Sequence, residues 1–282
     1  MSMLLGPERT TGWIRFVVAI TLFFSPVAIS FGQGKEDKPL IIGTDPWCPY
    51  NCEDASKPGI VIDIFKEIFE PLGHRIKVSF FPWARAIKMI RDGKTTTFGS
   101  ANPKDAKDLI YASVPTVDMR NTIFVRKDDL WSYQGLPSLE QGILGVIRNY
   151  NYGSVLDGYI ANPKNKTKLA IVSGVDSLDR LLKMLSLGRV KYIIDDQFVT
   201  TYRAKAMNLE ENIRIEKLVT KVPLYFGFSP KDPKAHYFVA KTNESLIRMR
   251  KDGSMQQIFD RYGMACYYCE ASATPSLLQK VH

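Results

Sequence analysis

Residues 59–73 read GIVIDIFKEIFEPLG and residues 75–81 read RIKVSFF. In the first stretch Val61, Ile64, Phe65, Ile68, Phe69 and Leu72 recur at helical spacing, and Gly73 supplies the stop. The second stretch alternates as a strand does. Just ahead of both lies the apolar run Leu40-Ile41-Ile42. Strand, helix and strand within about forty residues make a parallel crossover unit, which sets the class as α/β.

Working outward, a helix is predicted over 83–91, closed by Gly93, before a short strand at 96–99. A second half opens near residue 127. It follows a strand at 121–125 and contains strands at 143–147, 169–172 and 192–194. Asp176 is expected to cap a helix carrying Leu178, Leu181, Leu182 and Leu185, which ends at Gly188. The chain then returns through a strand at 222–228, a helix opened by Asp232-Pro233, and a last helix from Met255 to Tyr262. Two α/β units joined by two strand-like crossings put a cleft at the carboxyl ends of their strands. The expected division is a first lobe of 39–126 and 223–264, a second lobe of 127–222, and a tail of 265–282.

The 282-residue chain has an ordinary globular balance, with 45 % hydrophobic and 24 % charged residues. Its opening differs. Arg9 and Arg15 precede an apolar run from Phe16 that extends to about Phe31, with small residues beyond its core. This describes a cleaved secretory signal peptide, residues 1–32, and so export. The net charge of +9 comes from lysines and arginines scattered along the chain, so no nucleic-acid partner is expected.

All four cysteines, Cys48, Cys52, Cys266 and Cys269, follow the leader. An even count in an oxidising compartment favours two disulfides, and four cysteines allow three pairings. Local pairing, Cys48 with Cys52 and Cys266 with Cys269, is the first expectation. Cross-pairing would tie the tail to the opening loop. The Cys266-Tyr267-Tyr268-Cys269 spacing also matches a redox pair, but it lies in a tail without the strand-to-helix setting of one. No metal-ligand cluster, phosphate loop or Ser/His/Asp set is present, so neither a cofactor nor an enzyme is expected.

The order of motifs resembles bacterial solute-binding protein family 3, the periplasmic receptors of amino-acid-type ABC transporters. The resemblance spans roughly residues 39–264. It rests on Ile42-Gly43-Thr44-Asp45 with its Pro-aromatic loop, Gly59 to Asp63, and Pro82-Trp83-Ala84-Arg85. Further pieces are Gly188-Arg189-Val190 with Asp196, and Asp252-Gly253 followed by Tyr262-Gly263. It implies a two-lobed, hinged fold that binds a small solute for an ABC permease or membrane sensor, working as a monomer.

The ligand contacts that the resemblance implies carry over only in part. The arginine that clamps an α-carboxylate in many such receptors falls in the stretch around Ser100, at Asp105, where a carboxylate would repel an anion. The acidic residue that meets the α-amino group corresponds to Asp196, with Asp195 expected to cap the following helix. Arg85 and Arg148 are substitute cations, and Trp47, Tyr50, Trp83, Tyr150 and Tyr152 are candidates to stack on the solute beside Asp45. An enzyme on the same scaffold, similar to periplasmic cyclic-acid dehydratases, is the alternative reading. It would need a general acid or base such as Asp105, Asp196 or Lys104.

Overall fold

The computed structural model describes residues 38–269 except Asp105 and Val175. The expected leader, the last part of the tail and Asp105 therefore lie outside the described residues. The crossover unit forms as expected: β1 (Leu40–Thr44) and β2 (Ile76–Phe80) pair in parallel around α1 (Ile60–Phe69). Helix α1 has almost no polar face, burying seven side chains from Ile60 to Phe69. A helix apolar on nearly all sides needs cover on nearly all sides, and the sheet and two later helices provide it.

After α2 (Trp83–Arg91), β3 (Thr97–Ala101) joins β1 in parallel. The short β4 (Ile110–Tyr111) and the long β5 (Val117–Arg126) follow. The second half comprises β6 (Leu144–Ile147), α3 (Ser154–Ala161), β7 (Leu169–Val172) and α4 (Ser177–Ser186). It continues through β8 (Tyr192–Asp196) and α5 (Gln197–Ala206), and the chain returns along β9 (Ile213–Phe228) to α6 (Ala235–Asp252) and α7 (Ser254–Arg261).

The strands lie in the order β2-β1-β3-β9-β5-β8-β6-β7, with β4 beside β9. Strand β9 is the spine. Its end pairs antiparallel with β3 at Thr97↔Phe228, and its body pairs with β5 from Val117↔Leu224 to Arg126↔Ile213. Register shifts at Asn121/Thr122 and Ile123/Phe124 twist this ribbon between the two halves. Both crossings are longer than their sequence signals, because those shifts break the period-two pattern that would mark their full extent.

The second half obeys period two on both faces of its sheet. Ile123, Val125, Tyr192 and Ile194 face one core cluster, and Phe124 and Ile193 face another beneath Leu181, Leu182 and Leu185 of α4. The first half centres on α1, with Phe65, Phe69, Phe226 and Phe238 packed together.

Two capping expectations change. Asp176 stands at the α4 N-cap, but its carboxylate pairs with Arg180 at 3.4 Å and accepts no backbone cap bond. Asp232 closes a turn by accepting the Lys234 backbone N–H at 2.9 Å, and α6 begins after Lys234.

Candidate functional site

The loop after β1 turns back on itself. Trp47 N–H donates to the Asn51 carbonyl at 2.8 Å, and Tyr50 N–H to the Trp47 carbonyl at 2.9 Å. The expected Cys48–Cys52 disulfide closes the turn, and the Cys48–Pro49 peptide is cis. Carbonyls of Pro49 and Tyr50 accept from the N–H groups of Ile60 and Val61 at 3.0 Å, so the loop caps α1 with its backbone. Gly59 makes this possible. Its φ is 108°, and a Cβ there would stand 2.4 Å from the Tyr50 carbonyl oxygen.

Tyr50 is turned inward and is 1 % exposed, with the Trp47 ring stacked on it at 4.5 Å. Its hydroxyl donates toward the Asp118 carbonyl oxygen at 3.1 Å and Asp196 Oδ2 at 3.3 Å. Asp196 Oδ1 accepts from Phe198 and Val199 N–H at 2.9 and 3.0 Å, and Oδ2 also accepts from Arg120 N–H at 2.7 Å. Asp196 is therefore the N-cap of α5. The cap expected of Asp195 is supplied by its neighbour Asp196 instead. Burial pushes the Asp196 carboxyl up to about 6, against the lowering effect of its backbone and Tyr50 donors.

Asp195, 3 % exposed, does not cap α5: among the described residues its carboxylate accepts only the Asp196 N–H, at 2.6 Å. Burial, and then the charge of Asp196, push Asp195 up to about 7. Half-buried Asp45, at the end of β1, is pushed up by burial to about 6. Neither carboxylate has an ion-pair partner among the described residues.

Tyr150, 46 % exposed, feels the charge of both. Burial first, and then Asp195 and Asp45, hold its phenol above the ordinary value, so a carboxylate from each half of the sheet acts on one ring. The loop carrying it is fixed from below. Asn121 Nδ2 donates to the Asn151 carbonyl at 3.1 Å and to Thr220 Oγ1 at 3.0 Å. A Cβ on Gly153 would meet Thr220 Cγ2 at 2.7 Å. Tyr152, 6.3 Å from Tyr150, is buried and accepts the Ile147 N–H on its hydroxyl at 2.8 Å.

The other candidates separate. Ser100 accepts from Asn51 Nδ2 at 3.2 Å, which ties the end of β3 to the loop, and Asn51 Oδ1 is buried without a partner. Trp83 is exposed at the start of α2, and the exposed Arg85 stands 5.6 Å over the Phe81 ring. Arg148 is exposed, and neither arginine forms an ion pair among the described residues.

The residues that sequence reasoning missed are Asn51, Asp118, Arg120, Asn121 and Thr220. Four of them are polar residues on crossing strands. The only signal for them is that Asp118, Arg120 and Asn121 interrupt a strand whose apolar run begins just beyond. The second expected disulfide, Cys266–Cys269, is formed. Among the described residues no cluster of three or more His, Cys, Asp or Glu is arranged for a metal, and no helix is long and apolar enough to cross a membrane.

The family model for bacterial extracellular solute-binding proteins, family 3, matches residues 40–265. The chain belongs to that family. No curated protein matches this family member in sequence. Among solved structures it is similar to one described as the basis of glutathione import in Gram-positive bacteria via GshT and the cystine ABC importer TcyBC of Streptococcus mutans. That pair has a TM-score of 0.67 and 18 % identity, covering 81 % of this chain and 96 % of the other. A histidine kinase sensor domain with similarity to periplasmic binding proteins gives 0.64 and 18 %, covering 80 % and 96 %. The ancestral amino-acid-binding protein AncCDT-1, a precursor of cyclohexadienyl dehydratase, gives 0.61 and 20 %, covering 79 % and 95 %. At these identities the likeness establishes the fold, the two-lobed α/β architecture of periplasmic binding proteins.

Proposed function

We propose that this solute-binding protein is a non-catalytic, monomeric receptor, exported to the periplasm, that receives a small polar solute between the loop after β1 and the loop at 148–153. Residues 39–126 and 223–264 form one lobe and 127–222 the other. The observation that carries this reading is the loop at 148–153, whose Tyr150 feels the charges of both Asp45 in the first half and Asp195 in the second.

Two poorly compensated carboxylates beside aromatic rings favour a solute that brings hydrogen-bond donors or a positive charge. They disfavour an ordinary neutral amino acid held by its carboxylate. Trp47 supplies a stacking face, while Ser100 with Asn51 offers polar contacts on the first lobe. A closed, solute-bound form is what an ABC permease or a membrane sensor would recognise.

A thermal-shift panel of amines, guanidinium compounds, neutral L-amino acids and carboxylic acids tests the reading. The cationic compounds should raise the melting temperature, and Asp45→Asn or Asp195→Asn should weaken binding by about 1.5–3 kcal/mol, the scale of a charged hydrogen bond. A response confined to neutral amino acids or carboxylic acids would overturn the solute class.

Asp195 alone favours a second reading. A buried carboxyl held near neutrality suits proton transfer, as a dehydratase-like enzyme would require. Recovering the solute unchanged after prolonged incubation with the protein separates the receptor from the enzyme.

A further inference from the structure

The two disulfide-closed loops come from opposite ends of the chain, yet their tyrosines meet at one place. Tyr50, from the Cys48–Cys52 loop, reaches the Asp118 carbonyl on β5 and Asp196 at the head of α5. Its ring lies edge-on to Phe198 in the first turn of α5, with centroids 6.5 Å apart. Tyr267, from the Cys266–Cys269 loop, approaches the same Phe198 at 6.1 Å. Its ring also covers the Arg120 guanidinium at 3.8 Å. Next to it, the Tyr268 hydroxyl donates to the Asp118 carboxylate, and its ring stacks with Arg250 of α6 at 4.5 Å.

These contacts join parts that would move separately. Tyr50, Met264 and Cys266 are packed into the core around α1, which belongs to the first half. Phe198 and Val199 open α5 in the second half, yet both pack against that same core. Asp118 and Arg120 lie on the ribbon between the halves. Tyr50, Phe198, Phe259 and Tyr267 help line a partly open pocket with only about 10 Å³ of room for water. An opening that carries Asp196 and Phe198 away from the first half would break the Tyr50–Asp196 bond and draw Phe198 off Tyr50 and Tyr267.

The contact is also balanced against release. Arg120 Nη1 is buried without a hydrogen-bond partner, and the Tyr267 ring face is its main compensation on that side. Opening would hydrate that donor, so the closed arrangement carries a penalty that water can relieve. A contact with strong ties and one unmet donor suits an element with two states.

We propose that the two stapled loops form a latch at the crossing strands, which holds the halves together without solute and lets go when they separate. Tyr50 is its inner pin and Tyr267 its outer cover. The latch needs two halves joined by the ribbon, and it stands independently of the solute-binding reading.

The test uses the full-length exported chain, dialysed free of solute, read by small-angle X-ray scattering and by amide hydrogen exchange at Phe198 and Val199. Tyr267→Ala removes a partly exposed ring and leaves both disulfides intact. It should enlarge the radius of gyration and speed exchange at those two amides about tenfold. Tyr50→Phe, which loses only the hydroxyl, should act in the same direction. If the Tyr50 variant does not fold, the Tyr267 variant decides alone. A Tyr267→Ala protein whose scattering profile and exchange match the wild type would overturn the latch, even with a lowered melting temperature. Because both readouts are made without solute, their failure leaves the receptor reading untouched, and failure of the solute panel leaves the latch untouched.

Discussion

The Asp196 carboxylate accepts the backbone N–H of Arg120 at 2.7 Å while capping α5 with its other oxygen. One side chain thereby ties the head of a second-half helix to the crossing strand β5. Asp196→Ala should remove the helix cap, worth about 1 kcal/mol, and leave buried donors unmatched at about 1–3 kcal/mol. The expected loss of stability is roughly 2–4 kcal/mol by urea unfolding, with Asp196→Asn falling between. A loss below about 0.5 kcal/mol would show that the carboxylate is dispensable to the fold.

Asp195 and Asp45 should make stability fall as pH rises. Their folded values, about 7 and about 6, lie above the unfolded carboxyl value, so the folded protein binds more protons between about pH 4 and 7. Each group contributes a slope approaching 1.4 kcal/mol per pH unit inside its window. The groups around Asp195 are Asp196, Tyr150 and Tyr152. Denaturant midpoints should therefore rise on acidification from pH 8 to about 5, before ordinary acid denaturation sets in. Asp195→Asn should flatten that rise, and an unchanged profile would contradict the burial of this carboxylate.

Gly59→Ala should be among the most damaging single changes in the first half. The φ of 108° disfavours any side chain, at about 1–3 kcal/mol, and the added Cβ would stand 2.4 Å from a carbonyl oxygen. Unfolding curves should show a loss of at least about 3 kcal/mol, or no folded protein. Gly73→Ala offers a control: its φ is 84°, but no atom lies within 4 Å of the added Cβ, so only the conformational cost applies.

Neither disulfide should release a thiol to labelling in denaturant without reductant. Each closes a short loop, with sequence separations of 4 and 3, so the chain-entropy account assigns each about 2 kcal/mol. Reduction should lower stability by a few kcal/mol in total. Labelling of two cysteines in unreduced protein would exclude one of the pairs.

The crossover unit was legible because α1 carries its helical spacing in plain view and Gly73 stops it. The local disulfide pairs formed as first expected, although the sequence left three pairings open. The lengths of β5 and β9 were hidden, since two register shifts within the ribbon disrupt the alternation from Ile213 to Val222. The adjacent acids could not be sorted by composition. Period two predicts that Asp195 and Asp196 point to opposite faces, but which one meets the N–H groups of α5 depends on where the helix axis begins. Arg120 and Tyr267, nearly 150 residues apart, carry no mutual signal at all: their stacking is made by the way the tail folds back.

Strand β9 also bears on how the chain is made. The Thr97 hydroxyl bonds to the Gly227 carbonyl across 130 residues, and β5 finds its long partner in the same late segment. Neither half can complete its sheet until β9 is available, so a nascent chain lacking its last quarter leaves one edge of β3 and one of β5 unpaired. Pairing over such separations is intrinsically slow. Were the chain exported through a membrane pore that admits only unfolded polypeptide, this topology would delay folding until most of it had passed.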